Sequence, residues 1–158
     1  MSRQIINDTY ALQIPDSFEM ISPEELQEMS RNGGDPFQWG VRDKEKHIMI
    51  LAMWKKYPAI LSWMADLKVI AKRNQELAAK GYAGNGYRFL DYLSWQAGEE
   101  KAEGYRFTYN VGNISQAVSS MLVKNGKIIY AFTCVGREEN TEGDLAAFRG
   151  IMESLEYV

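Results

Sequence analysis

The sequence predicts an α/β (α+β) chain folded as a three-layer α/β/α sandwich around a mainly antiparallel sheet of about six strands. Three observations carry that expectation. Hairpin signals join most of the strand-like segments, which favours antiparallel neighbours. Two segments, His47–Lys55 and Lys127–Val135, are apolar on both parities, and strands of that kind need cover on both faces of their sheet. Two longer segments carry apolar stripes at helical spacing and can supply that cover. All 158 residues, 1–158, are expected in a single domain, a size that buries roughly 70% of the unfolded chain's surface.

In chain order, Tyr10-Ala-Leu-Gln-Ile14 alternates like a short strand and Pro15-Asp16-Ser17 stops it. Ser22-Pro23-Glu24-Glu25 has the form of a helix start, with a Ser cap, Pro at the first helical position and Glu three residues after the cap. Arg31-Asn32-Gly33-Gly34 should end that short helix. Phe37–Arg42 and His47–Lys55 read as a hairpin around Asp43-Lys44-Glu45. From Ala59 to Lys80 an apolar stripe through Ile60, Trp63, Met64, Leu67, Ile70, Ala71, Leu77 and Ala78 predicts one helix about 33 Å long.

Strands resume after the Gly81–Gly86 loop. Tyr87–Gln96 and Tyr105–Val111 flank the charged connection Ala97–Gly104, and Gly112-Asn113 turns the chain into Ile114–Lys124. Asn125-Gly126 is the strongest hairpin signal, since both central residues of that turn favour positive φ. Lys127–Val135 follows, and Leu145, Phe148, Ile151, Met152 and Leu155 then stripe a last helix over about Gly143–Glu156.

These segments resemble the PsbP/Mog-like family. The resemblance rests on a strand ending in Ile14-Pro15-x-x-Phe18, a hairpin, a long helix and a four-strand meander. It is most specific over the last 35 or so residues, where Lys124-Asn-Gly-Lys-Ile-Ile-Tyr-Ala-Phe-Thr133 precedes Phe148-Arg-Gly-Ile-Met-Glu-Ser-Leu155. The resemblance implies binding and scaffolding more than catalysis. Shared fold-making features are a weak guide to activity, so function has to be read from the residues themselves.

Composition narrows the functional classes. The 18 Lys+Arg stand against 21 Asp+Glu, a net charge of −3, without the basic excess usual in nucleic-acid binders. One cysteine, Cys134, permits no internal disulfide, and one histidine, His47, means that any metal site would rely on oxygen ligands. The N-terminus lacks the apolar run of a signal peptide and no stretch is long enough for a membrane-crossing helix, so a cytoplasmic protein without membrane insertion is expected. No cofactor motif is present. The glycines of Gly81–Gly86 follow a helix and precede a strand, the reverse of a phosphate cradle. The serines Ser115, Ser119 and Ser120 lack a nucleophile elbow, and Cys134 has no charged sequence neighbour to activate it.

The remaining signal is aromatic, at 12% of the chain with four Trp. Trp39, Trp54, Trp63, Tyr87, Asp91 and Trp95 are the candidate partner-binding residues, because Trp and Tyr are favoured at adaptable interfaces. Asp91 shares strand parity with Tyr87, Phe89, Leu93 and Trp95, which places it on the aromatic face. The leading expectation is a non-catalytic binding protein, adaptor or chaperone-like, that engages a protein or peptide, a homodimer being one form of such contact. The alternatives are a carrier of a small apolar ligand between the sheet and the long helix, and an enzyme using carboxylates with a divalent metal.

Overall fold

A computed structural model describes residues 1–30, 35–58 and 66–158. Its first two strands, β1 (Ser2–Ile6) and β2 (Tyr10–Ile14), form a hairpin whose turn residues Asn7 and Asp8 both have positive φ, 50° and 53°. The connection has three residues, Asn7 to Thr9, and the Thr9 N–H closes the turn on the Ile6 carbonyl at 3.0 Å. β3 (Glu19–Met20) is short, and α1 (Pro23–Met29) follows with the Ser22 hydroxyl accepting from the Glu25 N–H at 3.2 Å. Glu25 also meets Arg42, whose hydrogen bonds hold the Glu25 carboxyl below its usual range and pin α1 to the sheet.

β4 (Trp39–Asp43) and β5 (Ile48–Lys56) form the expected hairpin. After α2 (Leu67–Gly81) come β6 (Arg88–Ala97), β7 (Glu100–Val111), β8 (Ile114–Asn125) and β9 (Ile128–Arg137). The chain closes with α3 (Thr141–Glu153) and β10 (Glu156–Tyr157). The main sheet has seven strands in the order β3-β4-β5-β9-β8-β7-β6, every neighbouring pair antiparallel. The expected six become seven because two-residue β3 pairs with β4, a strand too short to leave a pattern. A second sheet, β1-β2-β10, lies apart from it.

Both doubly apolar segments sit at the middle, paired as β5 and β9 from Met49↔Val135 to Lys56↔Ile128. Their alternate residues feed two different cores. Ile48, Ile50 and Ala52 with Tyr130, Phe132 and Cys134 pack under Phe148, Ile151 and Met152 of α3 and under Ile6, Tyr10 and Leu12 of the small sheet. On the opposite face, Ile129 joins Tyr105, Phe107, Val118 and Leu122 beneath Ala71 of α2, while Leu51 packs against Ile21 and Leu26 beside α1. The sandwich is therefore as expected, except that one outer layer combines a helix with a three-stranded sheet.

Three expectations are corrected. The long helix begins at Leu67, because Asp66 is extended and its carboxylate caps the Lys68 N–H at 2.9 Å, so the helix spans about 22 Å rather than 33 Å. The part of that reading over 59–65, with Ile60, Trp63 and Met64, lies outside the described residues, as does the helix stop at 31–34. The charged connection Ala97–Gly104 is mostly strand, since the turn contracts to Gly98-Glu99 with Ala97 paired to Glu100. The last helix ends at Glu153, and Glu156 and Tyr157 pair with β2 instead.

Gly104 shows how tightly β7 and β8 meet. A Cβ there would lie 1.8 Å from the Ser120 carbonyl oxygen, backbone that cannot swing away. Gly126 has φ +59° in its turn but open space around it. Urea denaturation should therefore separate them: Gly126→Ala costs about 1 kcal/mol from backbone strain alone. Gly104→Ala should cost about 3 kcal/mol or prevent folding, because overpacking adds to the loss. Equal costs would show that the close strand approach is absent.

Candidate functional site

Exposed aromatic side chains gather at the β6 end of the sheet, where Phe89 and Tyr92 lie, while Tyr157 is exposed on β10 of the small sheet. β6 is the outermost strand, and no described residue pairs with its outer edge. Its ladder to β7 shifts register between Phe89 and Asp91. A bulge of this kind adds one residue and exchanges the faces of everything beyond it. Phe89 pairs with Phe107 and faces α2, and Tyr92 pairs with Tyr105 on that same face. Asp91, Leu93 and Trp95 pair with Arg106, Gly104 and Ala102 and face α3. The expectation that Asp91 shares a face with Tyr87 and Phe89 is thus overturned, since simple alternation does not survive the bulge.

On the α2 face the rings run outward in steps. Tyr105 and Phe107 are buried, Tyr87 packs tilted against Phe107 at 5.1 Å between centroids, and Phe89 meets Tyr92 at 4.8 Å. Phe89 is 38% and Tyr92 49% exposed, so the series ends at solvent rather than in the core. Gln75 of α2 spans the gap: its amide donates to the Tyr87 hydroxyl at 2.7 Å and its carbonyl accepts from the Tyr92 hydroxyl at 3.2 Å. Beside them a groove of about 390 Å3 runs between α2 and β6, lined by Lys68, Lys72, Tyr92 and Ser94 among others. It is open and partly polar, with aromatic, hydroxyl, ammonium and carboxylate groups, the last from Glu103.

Asp91 is held in an ion pair. Arg106 donates to it twice, Nε to Oδ1 at 2.7 Å and Nη2 to Oδ2 at 2.9 Å, across the β6–β7 ladder. Trp95 is buried, edge-on to Phe148 at 5.5 Å and beneath the Arg149 guanidinium at 5.6 Å. Trp39 is buried in the same core, and Trp54 packs at 5.9 Å from Tyr130 near the small sheet. Of the six sequence candidates, only half-buried Tyr87 belongs to this aromatic series, and Trp63 lies outside the described residues. Phe89, Tyr92 and Gln75 were missed. Phe89-x-x-Tyr92 could have been found only by anticipating the bulge, because the two rings otherwise fall on opposite faces.

The other chemical candidates resolve individually. Burial pushes the Cys134 thiol far up, away from reactivity. His47 is exposed at the end of the β4–β5 turn with φ 55°. Ser115 donates to Glu138, and Ser120 bonds Thr133 at 3.3 Å. Among the described residues no three His, Cys, Asp or Glu side chains converge as metal ligands. Asp144 of α3 is the odd carboxylate: its Oδ2 is buried without a hydrogen-bond partner, over Gly136, where a Cβ would come within 2.1 Å of it. Burial raises its pKa, with Lys46 opposing.

Taken with this geometry, the order and packing of the elements define a PsbP/Mog-like fold. The chain aligns with cyanobacterial PsbP (CyanoP) from Synechocystis sp. PCC 6803 at a TM-score of 0.70 and 12% identity, covering 99% of this chain and 92% of that one. LpqN, involved in cell envelope biogenesis of Mycobacterium tuberculosis, aligns at 0.63 and 14%, covering 94% and 83%. A variant of Mog1 aligns at 0.59 and 8%, covering 100% and 97%. At such identities the likeness is one of fold. No family model and no curated protein matches the sequence.

Two variants test these placements. Asp91→Ala leaves the largely covered Arg106 without its partner and should cost about 1 kcal/mol in denaturant, whereas Tyr92→Ala should stay within about 0.5 kcal/mol. Asp144 is ionised at a penalty wherever the pH exceeds its raised folded value, and the penalty is gone below its ordinary value of 3.8. Asp144→Asn should accordingly stabilise the protein at neutral pH, with the gain fading as pH falls towards 3.8. A gain that is constant with pH would place that carboxylate in water.

Proposed function

We propose that this protein is a non-catalytic binding protein that takes a protein or peptide partner on the β6–α2 side of its sheet. The observation that carries the reading is the pairing of exposed Phe89 and Tyr92 with a strand edge that no described residue pairs with. Large rings are costly to leave in water and are enriched at interface centres. An unpaired edge presents backbone donors and acceptors that another chain can complete. The small-ligand reading is less favoured, because the groove between α2 and β6 is open and has lysines in its wall, whereas carrier sites are enclosed and mostly apolar.

Site-specific photocrosslinking tests this directly. A benzophenone side chain at Tyr92 should capture a discrete partner in cells of origin, and one at Met20, an exposed apolar residue on the opposite edge strand, should not. Adding Phe89→Ser should reduce the capture severalfold with the fold intact by circular dichroism. Equal capture at both positions would contradict the assignment of this side.

A further inference from the structure

Resting on that reading, we propose that the segment bound is an extended acidic peptide that adds to β6 as a further strand and places alternate carboxylates against Lys68, Lys72 and Lys101. From Asp91 to Ala97 the β6–β7 register is unbroken, so the outer side of β6 offers a regular row of backbone groups over this stretch. The stretch holds neither proline nor lysine, the residues with which exposed edges are usually blunted. A strand added there would send every second side chain to the α2 face, where Tyr92, Ser94 and Gln96 of β6 already point.

That face is basic, in a chain whose net charge is −3. The groove beside Tyr92 contains Lys68 and Lys72, and a second groove of about 550 Å3 continues it past Ser94 to Gln96 and Lys101. The two share Lys68, Ser94 and Glu103, so they form one channel alongside β6. Lys68, Lys72 and Lys101 are exposed and none forms an ion pair among the described residues. Two carboxylates also line the channel, Glu103, which accepts from the Ser94 hydroxyl at 2.8 Å, and Asp66, which caps the α2 N-terminus. Lys68, Lys72 and Lys101 outnumber these two carboxylates, so the balance of charge is positive, and it lies where alternate side chains of an added strand would fall. Backbone pairing would supply affinity, and the lysines would select acidic sequences and speed encounter.

The test titrates the full-length 15N-labelled protein with acetyl-(Glu-Thr)4-amide, its isosteric neutral counterpart acetyl-(Gln-Thr)4-amide, and acetyl-(Lys-Thr)4-amide. The acidic peptide should perturb the amides of Asp91–Ala97 and of α2, bind roughly tenfold more tightly than the neutral one, and weaken as salt is raised. Lys68→Glu with Lys72→Glu, both on the exposed face of α2, should reverse the preference towards the lysine peptide. If all three peptides perturb β6 equally and the double variant changes nothing, the acidic selectivity is overturned while the β6 side stands as a peptide site. If none perturbs Asp91–Ala97, strand addition is overturned, and crosslinking at Tyr92 then decides separately whether a partner docks there by other means.

Discussion

The structure depends on one constraint: β5 and β9 are apolar on both faces, and neither can be left with a side in water. Each buried side chain of this kind is worth about 2 kcal/mol. Burying both faces requires two separate layers. The consequences run outward from that pair. Residues Ile50, Tyr130 and Phe132 call for α3 and the β1-β2-β10 sheet on one side, and Leu51, Met49 and Ile129 call for α1 and α2 on the other. On the second side α2 packs mainly over β7 and β8, so β6 is only partly covered on that face. Phe89 and Tyr92 remain in contact with solvent there.

The same logic separates residues that build from residues that can recognise. Trp39, Trp54 and Trp95 have the composition of an interface but lie in or against the core that α3 closes, and Trp95 is further clamped beneath Arg149. Asp91 and Arg106 are bonded to each other across two strands, which consumes their charge. The rings and lysines beside α2 are different, because their partners within the chain are few. Exposure together with a regular backbone edge is a stronger functional pointer than aromatic content, since most of the aromatic content here is structural.

Much of the fold was legible in the sequence because it rests on periodicity. The alternation in Tyr10–Ile14, the capped start at Ser22-Pro23 and the stripe through Phe148 and Met152 correspond to observed elements, and the hairpin signalled by Asn125-Gly126 forms with its turn one residue later, at Gly126-Lys127, and with positive φ at Gly126 but not at Asn125. What escaped was set by contacts distant in sequence. β3 and β10 are two residues each and exist only because β4 and β2 offer them partners. The charged start of β7 reads as a loop until β8 is seen passing so close that only Gly104 fits. The candidate site was less legible still, for one bulged residue moved Asp91 away from Phe89 and brought Phe89 beside Tyr92.

Native-state hydrogen exchange measured residue by residue would test the arrangement most directly. If β5 and β9 are sealed on both faces, the amides of Ile50–Met53 and Ala131–Cys134 should exchange only through global unfolding, with the free energy obtained from denaturant. The outward-facing amides of Asp91–Ala97 should exchange far faster. Central amides that open locally at a much lower free energy, or β6 amides protected as well as those of β9, would contradict both the covered centre and the open edge.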